Sequence, residues 1–431
     1  MEKQTFVLKG NIYYSKSATE LAVFEQAYAV CLNGISQGVF RTLPKEYEAL
    51  PLMDMGDSLI LPGLTDLHLH APQYTFRALG MDLELLKWLN TNTFPEEAKY
   101  AELDYAREAY ALFAGEMRRG ATTRACVFGT IHTEATELLM DLLEETGICT
   151  WVGKVNMDRN SPDYLCEKSA GQSAADTRDW IERTLPKCRC TKPMITPRFV
   201  PSCSDELMKM LGELARRYNL PVQSHLSENP EEVAWVKKLA PESAFYGDAY
   251  DRFGLFGKEV PTIMAHCVYS GEEETQRIFE NGVFIAHCPQ SNTNIASGIA
   301  PVRRYLDRGM RIGLGTDVAG GFSASILRAM ADSIQVSKLR WRLSDETLKP
   351  VSLEEAFYMG TKGGGAFFGK AGSFEEGYLF DAVALDDSTL KTPRPLSLRD
   401  RLERAVYMSE ECRVVSKYVE GRQIRLSDIH F

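Results

Sequence analysis

The chain has 431 residues, of which 44% are hydrophobic and 25% are charged, and its formal net charge is −10. This is the composition of an ordinary globular protein with enough apolar side chains for a large core. The acidic balance argues against a nucleic-acid partner, because nucleic acids are bound through clustered Lys and Arg side chains.

Neither a membrane span nor a secretory leader is expected. The sequence has no run of about eighteen apolar residues, the length a helix needs to cross a bilayer, and its first ten residues, MEKQTFVLKG, contain no apolar segment. The ten cysteines are scattered without a Cys-x-x-Cys pair, and we expect them to be reduced thiols. The sequence therefore predicts a cytoplasmic protein without a membrane partner.

The first 61 residues are predicted to be rich in β-strands. Short apolar runs at 5–9, 27–32 and 39–43 are separated by glycine and polar residues. The run 58–61 then leads into Pro62-Gly63, a dipeptide typical of turns. We therefore place a domain boundary after residue 61.

From residue 64 onward, short β-like runs alternate with amphipathic stretches. The stretch 134–146 places four leucines on one helix face and ends at Gly147, a typical helix stop. The stretch 205–218 has the same helical periodicity. In Asn229-Pro230-Glu231-Glu232 we recognise an N-cap, a proline at the first helical position and a carboxylate at the third. The eight β-like runs are 64–70, 122–128, 151–156, 194–199, 221–225, 262–266, 283–287 and 311–316.

Eight strand–helix units predict an α/β fold with a parallel sheet closed into a (β/α)₈ TIM-like barrel. The alternative is a doubly wound open sheet, which normally has a G-x-G-x-x-G turn after its first strand, and none occurs here. Two connections, 71–100 and 157–173, are long enough to suggest functional loops.

Both ends of the chain have β-like character. After predicted helices at 323–341 and 353–362, the segments 372–387 and 413–425 return to alternating hydrophobicity. We therefore predict a small β-sandwich domain built from residues 1–61 and 372–431, beside a barrel of residues 62–371.

Five of the seven histidines lie at the ends of predicted strands; four of them form the candidate set, and His287 at the end of the seventh strand is expected to pack in the core. His68 and His70 end the first strand and point to the same side, since alternate residues on a strand share a face. His225 ends the fifth strand, His266 the sixth, and Asp317 follows the eighth. Active sites of such barrels lie at the C-terminal strand ends. This set predicts a divalent metal site, for which zinc fits best and iron(II) fits the same ligand types.

Glu228 follows His225 by three residues, at the start of the next helix. A carboxylate there can lie near the metal without binding it, and a carboxylate beside activated water is the usual proton shuttle. For a single glutamate in a polar loop, an exposed surface position is the competing interpretation.

With these residues placed, the chain resembles the amidohydrolase superfamily along its whole length and, within it, the members that deaminate guanine. The superfamily features are PGLTDLHLH (62–70), the strand-end histidines, GTD (315–317) and GSFEEGYLFDAVALD (372–386). The more specific features are HAPQY (70–74), WLNTNTFPEE (88–97), TPRF (196–199), SHLSEN (224–229), AHCPQSN (286–292) and GLGTDVAGG (313–321).

The resemblance implies hydrolysis of guanine to xanthine and ammonia, and a homodimer. It assigns catalysis to Glu228, which would carry the proton, to His266, which would contact the attacking hydroxide or the metal, and to Asp317. A single zinc ion is implied, because the lysine of two-metal relatives is replaced by Arg198 at the end of strand 4, and Lys192 precedes that strand. Arg198 would pair with the purine oxygen and Phe199 would pack on the ring. The implied metal ligands are His68, His70, His225 and Asp317. The implied substrate contacts are His70, Ala71, Pro72, Gln73, Arg198, Phe199, His225, Glu228 and Asp317.

Two other functions stay open at this point. One is an aminohydrolase or chlorohydrolase of the same superfamily that acts on another purine, a pterin or a triazine-like ring. The other is a non-catalytic barrel that serves as an interaction module.

Overall fold

The computed structural model describes residues 4–427 and contains a parallel barrel beside a separate sheet. In chain order the strands are β1 (Phe6–Ser15), β2 (Leu21–Leu32), β3 (Ile35–Phe40), β4 (Leu52–Pro62), β5 (Leu64–His70), β6 (Thr122–Phe128), β7 (Cys149–Gly153), β8 (Val155–Asn156), β9 (Thr191–Pro193), β10 (Thr196–Pro197), β11 (Val222–Leu226), β12 (Thr262–His266), β13 (Phe284–His287), β14 (Ile312–Leu314), β15 (Ala382–Asp386), β16 (Arg413–Val419) and β17 (Arg422–Gln423).

The helices lie mainly in the connections between barrel strands. They are α1 (Leu85–Trp88), α2 (Phe94–Ala98), α3 (Leu103–Arg119), α4 (Thr133–Thr146), α5 (Ala170–Thr184), α6 (Asp205–Tyr218), α7 (Pro230–Leu239), α8 (Asp248–Asp251), α9 (Glu272–Asn281), α10 (Pro289–Asn294), α11 (Val302–Asp307), α12 (Ile326–Leu343), α13 (Leu353–Tyr358) and α14 (Leu398–Tyr407).

Eight parallel strand positions form the barrel. One half has the order β5-β6-β7-β9, with β8 and β10 paired as a short extension, and the other half has the order β11-β12-β13-β14. A parallel bridge between Ile195 and Val222 joins the two halves on one side. On the other side, Asp317 N donates to His68 O (2.8 Å) and His70 N donates to Val318 O (3.0 Å). These contacts close the ring, so the barrel prediction is confirmed and the open sheet is excluded.

Strands from both termini form the second sheet, as the sequence predicted, but its seven strands form one sheet and not the two packed sheets of the predicted β-sandwich. Its order is β17-β16-β15-β4-β1-β2-β3; the pair β1–β4 is parallel and the other pairs are antiparallel. Aromatic residues fill its core, where Phe6 lies against Phe380 and Tyr418 with ring centroids 5.4 and 4.8 Å apart. The domain boundaries at residues 61 and 371 remain a prediction.

Local signals account for the helices that were predicted. Ser204 caps α6 by accepting from Leu207 N, and Gly147 ends α4 with φ 77°, the left-handed conformation that glycine adopts without cost. Asn229 and Glu232 form a reciprocal capping box on α7, with Pro230 at its first position. This cap fixes the path of the chain directly after His225.

Three predictions about the terminal segments are wrong wholly or in part. Only Gly63 separates β4 from β5, so Pro62-Gly63 is not a turn. A Cβ at Gly63 would lie 2.1 Å from Thr123 Oγ1, so the glycine serves close packing instead. The predicted strand at 39–43 ends at Phe40, and in the segment 372–387 only β15 is a strand.

Within residues 4–427, no helix combines the length and the apolar character that crossing a bilayer requires. The ten cysteines form no disulfide within residues 4–427, and seven of them are buried.

Candidate active site

Two histidines at the end of β5 define the centre of the site. Every residue of β5 is buried, and the rings of His68 and His70 stand at 90° with centroids 5.0 Å apart. His68 Nε2 lies 3.2 Å and His70 Nε2 3.5 Å from Asp317 Oδ1. His225 at β11 brings its Nε2 within 3.2 Å of His70 Nε2. The strand ends therefore converge on one point, as predicted.

His266 completes the cluster from β12. Its ring centroid lies 5.4 Å from that of His68 and 5.5 Å from that of His225. Its Nε2 lies 3.7 Å from Asp317 Oδ2 and 3.4 Å from Glu228 Oε2. Possible ligand atoms lie within 4.8 Å of one another in three overlapping sets. These sets are His68, His225, His266; His68, His70, Asp317; and His266, Cys288, Asp317.

The chemistry of these donors fits a divalent transition metal. Burial lowers the pKa of His68, His70 and His225, which keeps the rings neutral and their lone pairs available. Nε2 of His68 and Nε2 of His266 are buried and make no hydrogen bond of good geometry, although carboxylate oxygens of Asp317 and Glu228 lie 3.2 and 3.4 Å away. Orphaned buried nitrogens are costly, and a metal ion is one ligand that would satisfy them.

Two outer contacts aim the ring nitrogens at the centre. His225 Nδ1 donates to Arg198 O at 2.6 Å, and His266 Nδ1 donates to Asn292 Oδ1 at 2.8 Å. Since each Nδ1 carries the proton in these assigned tautomers, each Nε2 presents a lone pair. Asn292 belongs to the AHCPQSN segment, whose role sequence reasoning had left open.

The backbone is strained at the same strand ends. His266 (φ 73°) and Asp317 (φ 48°) lie in the left-handed region that side chains other than glycine seldom occupy. Gly321 allows the following turn, because a Cβ there would meet Thr316 O at 1.9 Å. Such strain persists where the surrounding structure enforces it, commonly at functional sites.

Glu228 lies beside the cluster and is 3% exposed, so the surface interpretation is wrong. Ser297 Oγ donates to its Oε1 at 2.8 Å, which leaves Oε2 facing His266. Burial, together with the nearby charge of Asp317, raises the pKa of Glu228 to about 8. A carboxyl with this pKa can exchange a proton near neutral pH.

A narrow pocket opens onto the cluster. The residues lining it are His70, Gln73, Leu85, Trp88, Leu89, Arg198, Phe199, His225, Glu228, Glu232, His266, Ile295 and Asp317. The long connection between β5 and α3 provides three apolar members of this wall, which fits the expected functional loop. Ala71 and Pro72 lie buried in the short 3-10 turn Ala71–Phe76 between the wall residues His70 and Gln73.

Sequence reasoning missed Glu97 and assigned no role to it. Glu97 is 1% exposed and binds the Arg198 guanidinium through both carboxylate oxygens, at 2.6 and 3.1 Å. Gln73 Nε2 donates to the same carboxylate at 2.9 Å. The only sequence signal for Glu97 was its position in WLNTNTFPEE, a polar residue in an aromatic-rich loop.

The position of Lys192 corrects a detail of the one-metal argument. Lys192 lies within β9 and not before it, but it is exposed, and its Nζ lies over the Trp151 ring at 5.7 Å. It therefore points away from the cluster, and the inference of a single metal ion stands as a prediction.

Comparisons with known proteins agree with this geometry. The sequence pattern of the Amidohydrolase family matches residues 59–424. A guanine deaminase of Dictyostelium discoideum is 39% identical over 382 residues, covering 87% of this chain and 84% of that protein. The crystal structure of guanine deaminase from C. acetobutylicum with bound guanine in the active site has a TM-score of 0.94 and 46% identity, covering 98% of this chain and 100% of that one. The E. coli guanine deaminase structure has a TM-score of 0.87 and 31% identity, covering 97% and 99%. The chain belongs to the amidohydrolase family and, within it, to the guanine deaminases.

Proposed function

We propose that the chain hydrolyses guanine to xanthine and ammonia at the His68–Asp317 cluster. The observation that carries the proposal is that Gln73, Arg198 and Phe199 line the same narrow pocket as His70, His225, Glu228 and Asp317. Recognition groups for a planar polar ring thus face a set of metal ligands and a proton shuttle.

The metal ligands in this proposal are His68, His70, His225 and Asp317, with His266 beside them. Neutral imidazoles and one carboxylate favour zinc, and iron(II) accepts the same donors. Such an ion supplies Lewis-acid activation of water, lowering its pKa from about 15.7 towards 7.

The chain's own residues carry the proton steps. Glu228 takes a proton from the attacking water and delivers it to the ring nitrogen next to C2, while His266 and Asp317 orient that water. Oxygen bonds to C2, and Glu228 passes the remaining proton of the added hydroxyl to the exocyclic nitrogen. The bond from C2 to that nitrogen then breaks, and ammonia leaves. Guanine and water are thereby converted to xanthine and ammonia, with atoms balanced.

We assign substrate selectivity to three pocket residues that do not bind the metal. Arg198 donates to the purine oxygen, Gln73 to the polar edge of the ring, and Phe199 packs on its face, supported by Trp235 with ring centroids 6.2 Å apart. A site that pairs polar edges rejects analogues lacking them by roughly 10⁴-fold or more. We therefore expect guanine to exceed adenine in kcat/KM by that order.

The direct test is ammonia release from guanine, with the metal content measured on the same sample. A panel of adenine, cytosine, pterin and triazine substrates should give little ammonia. Comparable turnover of another ring would reject guanine as the substrate while leaving the hydrolase chemistry in place. A protein that retains no metal and shows no activity after incubation with metal would instead support the interaction module.

The first mutational prediction concerns Glu228. A positioned acid or base contributes typically about 10²–10⁴-fold to a rate, so Glu228→Gln should lose that much kcat while it keeps the metal and binds guanine. The matched control is Glu231→Gln, which changes an exposed carboxylate in the first turn of α7, the helix that follows Glu228. Near-normal turnover by Glu228→Gln would reject the shuttle.

The expected homodimer and cytoplasmic location rest on the resemblance and on the composition. Light scattering at the working concentration tests the first, and fractionation of the native host tests the second.

A further inference from the structure

Glu97 lies at the meeting point of the two recognition residues of the pocket. It comes from α2, in the long connection after β5, and accepts hydrogen bonds from Arg198 Nη1 (2.6 Å) and Nη2 (3.1 Å) and from Gln73 Nε2 (2.9 Å). All three residues are at most 3% exposed. Charge-assisted, bidentate contacts of this kind are the strong and directional ones.

These bonds fix the direction of Arg198. The guanidinium has five N–H groups in a rigid plane, and two of its nitrogens are held by Glu97. Phe94, one turn earlier on α2, lies 5.3 Å from the guanidinium carbon with its ring facing the cation. Both residues that hold the Arg198 side chain thus come from one short helix.

The Gln73 amide is fixed in the same way. Its Nε2 donates to Glu97, and its Oε1 accepts from Ala319 N at 3.2 Å. An amide with both ends engaged cannot flip without losing both bonds. The orientation of the Gln73 amide, and hence the polar pattern offered to a ring, depends on the Glu97 carboxylate.

Removing the Glu97 charge would free Arg198 in a pocket that holds other carboxylates. Glu228 and Asp317 line the same pocket, and an unpaired buried guanidinium would be drawn towards them. Glu97 therefore keeps the positive charge of Arg198 apart from the negative charges of Glu228 and Asp317.

We propose that Glu97 is the positioning residue that sets selectivity for the carbonyl edge of the purine, by holding Arg198 and Gln73 in their recognising orientation. It acts through those two side chains and leaves substrate contact to them. This inference rests on the proposed function, and it adds the residue on which the selectivity of the site depends.

The test compares two ligands that differ at the carbonyl edge. Purine and hypoxanthine are measured as competitive inhibitors of guanine turnover. The inhibition constant of purine divided by that of hypoxanthine, which carries the carbonyl oxygen, reports recognition of that edge. In Glu97→Gln this ratio should fall at least about 10-fold, the usual contribution of a hydrogen bond to a charged group. The KM for guanine should rise by a similar factor, kcat should fall less, and the metal content should stay unchanged.

Glu96→Gln is the matched control. Glu96 is the neighbouring carboxylate on α2, 8% exposed, and it accepts from Thr75 Oγ1 (2.9 Å) and Lys99 Nζ (2.7 Å). Removing its charge disturbs the same loop and breaks an ion pair whose cation, Lys99, is exposed. The inhibition ratio should stay within about 2-fold of the wild type, since no recognition residue is released.

Two further variants separate positioning from loss of folding. Glu97→Asp keeps the charge and should recover part of the ratio. The double variant Glu97→Gln/Arg198→Met should have an inhibition ratio less than about 3-fold below that of Arg198→Met alone. The effects of two substitutions do not add when one residue acts through the other. An unchanged ratio in Glu97→Gln, or full additivity in the double variant, would overturn the proposal. Wild-type protein that releases no ammonia from guanine would instead contradict the proposed function.

Discussion

Glu228 and Asp317 are buried carboxylates of the same site, yet their pKa values move in opposite directions. Burial raises the pKa of both groups, but for Asp317 the nearby rings of His68, His266 and His70 outweigh burial and lower it. For Glu228, the hydrogen bond from Ser297 does not outweigh burial and the charge of Asp317, so its pKa rises to about 8. One carboxylate is thus kept ionised as a ligand, and the other is kept able to carry a proton.

This difference predicts how many protons metal binding releases. With a pKa of about 8, Glu228 in the metal-free protein is about 0.9 protonated at pH 7, and a nearby cation lowers its pKa and expels that proton. Zinc binding at pH 7 should therefore release about 0.9 proton more from the wild type than from Glu228→Gln.

Calorimetry in buffers of different ionisation enthalpy measures this release. The difference should shrink to about 0.1 proton at pH 9, because Glu228 is then already ionised before the metal binds. The neutral histidines cancel in the comparison, since both proteins contain them. Equal proton release by the two proteins at pH 7 would show that Glu228 is ionised without the metal.

At the scale of elements, chain conformation is set by a few backbone positions. Gly147 ends α4 in the left-handed region (φ 77°), and a Cβ there would lie 2.8 Å from Ile424 Cδ1. Gly171 lies in the first turn of α5, without positive φ and with open space where a methyl group would lie. The two glycines therefore predict opposite effects of the same substitution.

Gly147→Ala should lower the free energy of unfolding by about 1 kcal/mol or more, because alanine resists positive φ. Gly171→Ala should raise it by about 0.5 kcal/mol, because the unfolded chain loses conformational freedom. Urea unfolding followed by circular dichroism measures both. Equal effects of the two substitutions would contradict the conformational argument.

The elements that could be predicted are those whose signals are local. β5 and β6 coincide with the predicted runs 64–70 and 122–128. Both strands are buried throughout, and apolar residues (Leu64, Leu67 and Leu69 in β5, 125–128 in β6) mark them although polar residues interrupt both runs. β4 was predicted only in its last residues, since its first half is largely exposed and shows no apolar pattern. α14 was missed although Ser397 and Asp400 form a capping box at its start.

The candidate site was also predictable only where its signals are local. Strand-end histidines follow from counting residues, so the metal cluster could be placed before the structure. The partnership of Glu97 with Arg198 could not, because the two are 101 positions apart and nothing local in either segment indicates the other. Contacts of that range depend on how the loop folds over the barrel.

At the scale of the whole molecule, buried charges join the terminal sheet to the barrel. Arg124 in β6 binds Asp381, just before β15, through Nε (2.6 Å) and Nη2 (3.2 Å), and both side chains are at most 4% exposed. Lys417 in β16 donates to Met117 O (2.8 Å) and Gly120 O (2.9 Å) at the end of α3. The carbonyls at this helix end are thereby satisfied by the other part of the molecule. We infer that the sheet and the barrel unfold together.

Asp381→Asn tests this coupling. Breaking a buried ion pair from one side costs about 3–5 kcal/mol, because the partner charge is left uncompensated. Glu420 Oε1 lies 3.4 Å from Arg124 Nη2 and compensates in part, so we expect the free energy of unfolding to fall by an amount near the lower limit, about 3 kcal/mol.

Asp386→Asn is the control, a carboxylate in β15 whose partner Arg413 is 76% exposed. Surface pairs of this kind contribute at most about 1 kcal/mol. Denaturant unfolding should give one transition for the wild type and an earlier one for Asp381→Asn. Equal midpoints for the two variants would show that the sheet adds little to the stability of the barrel.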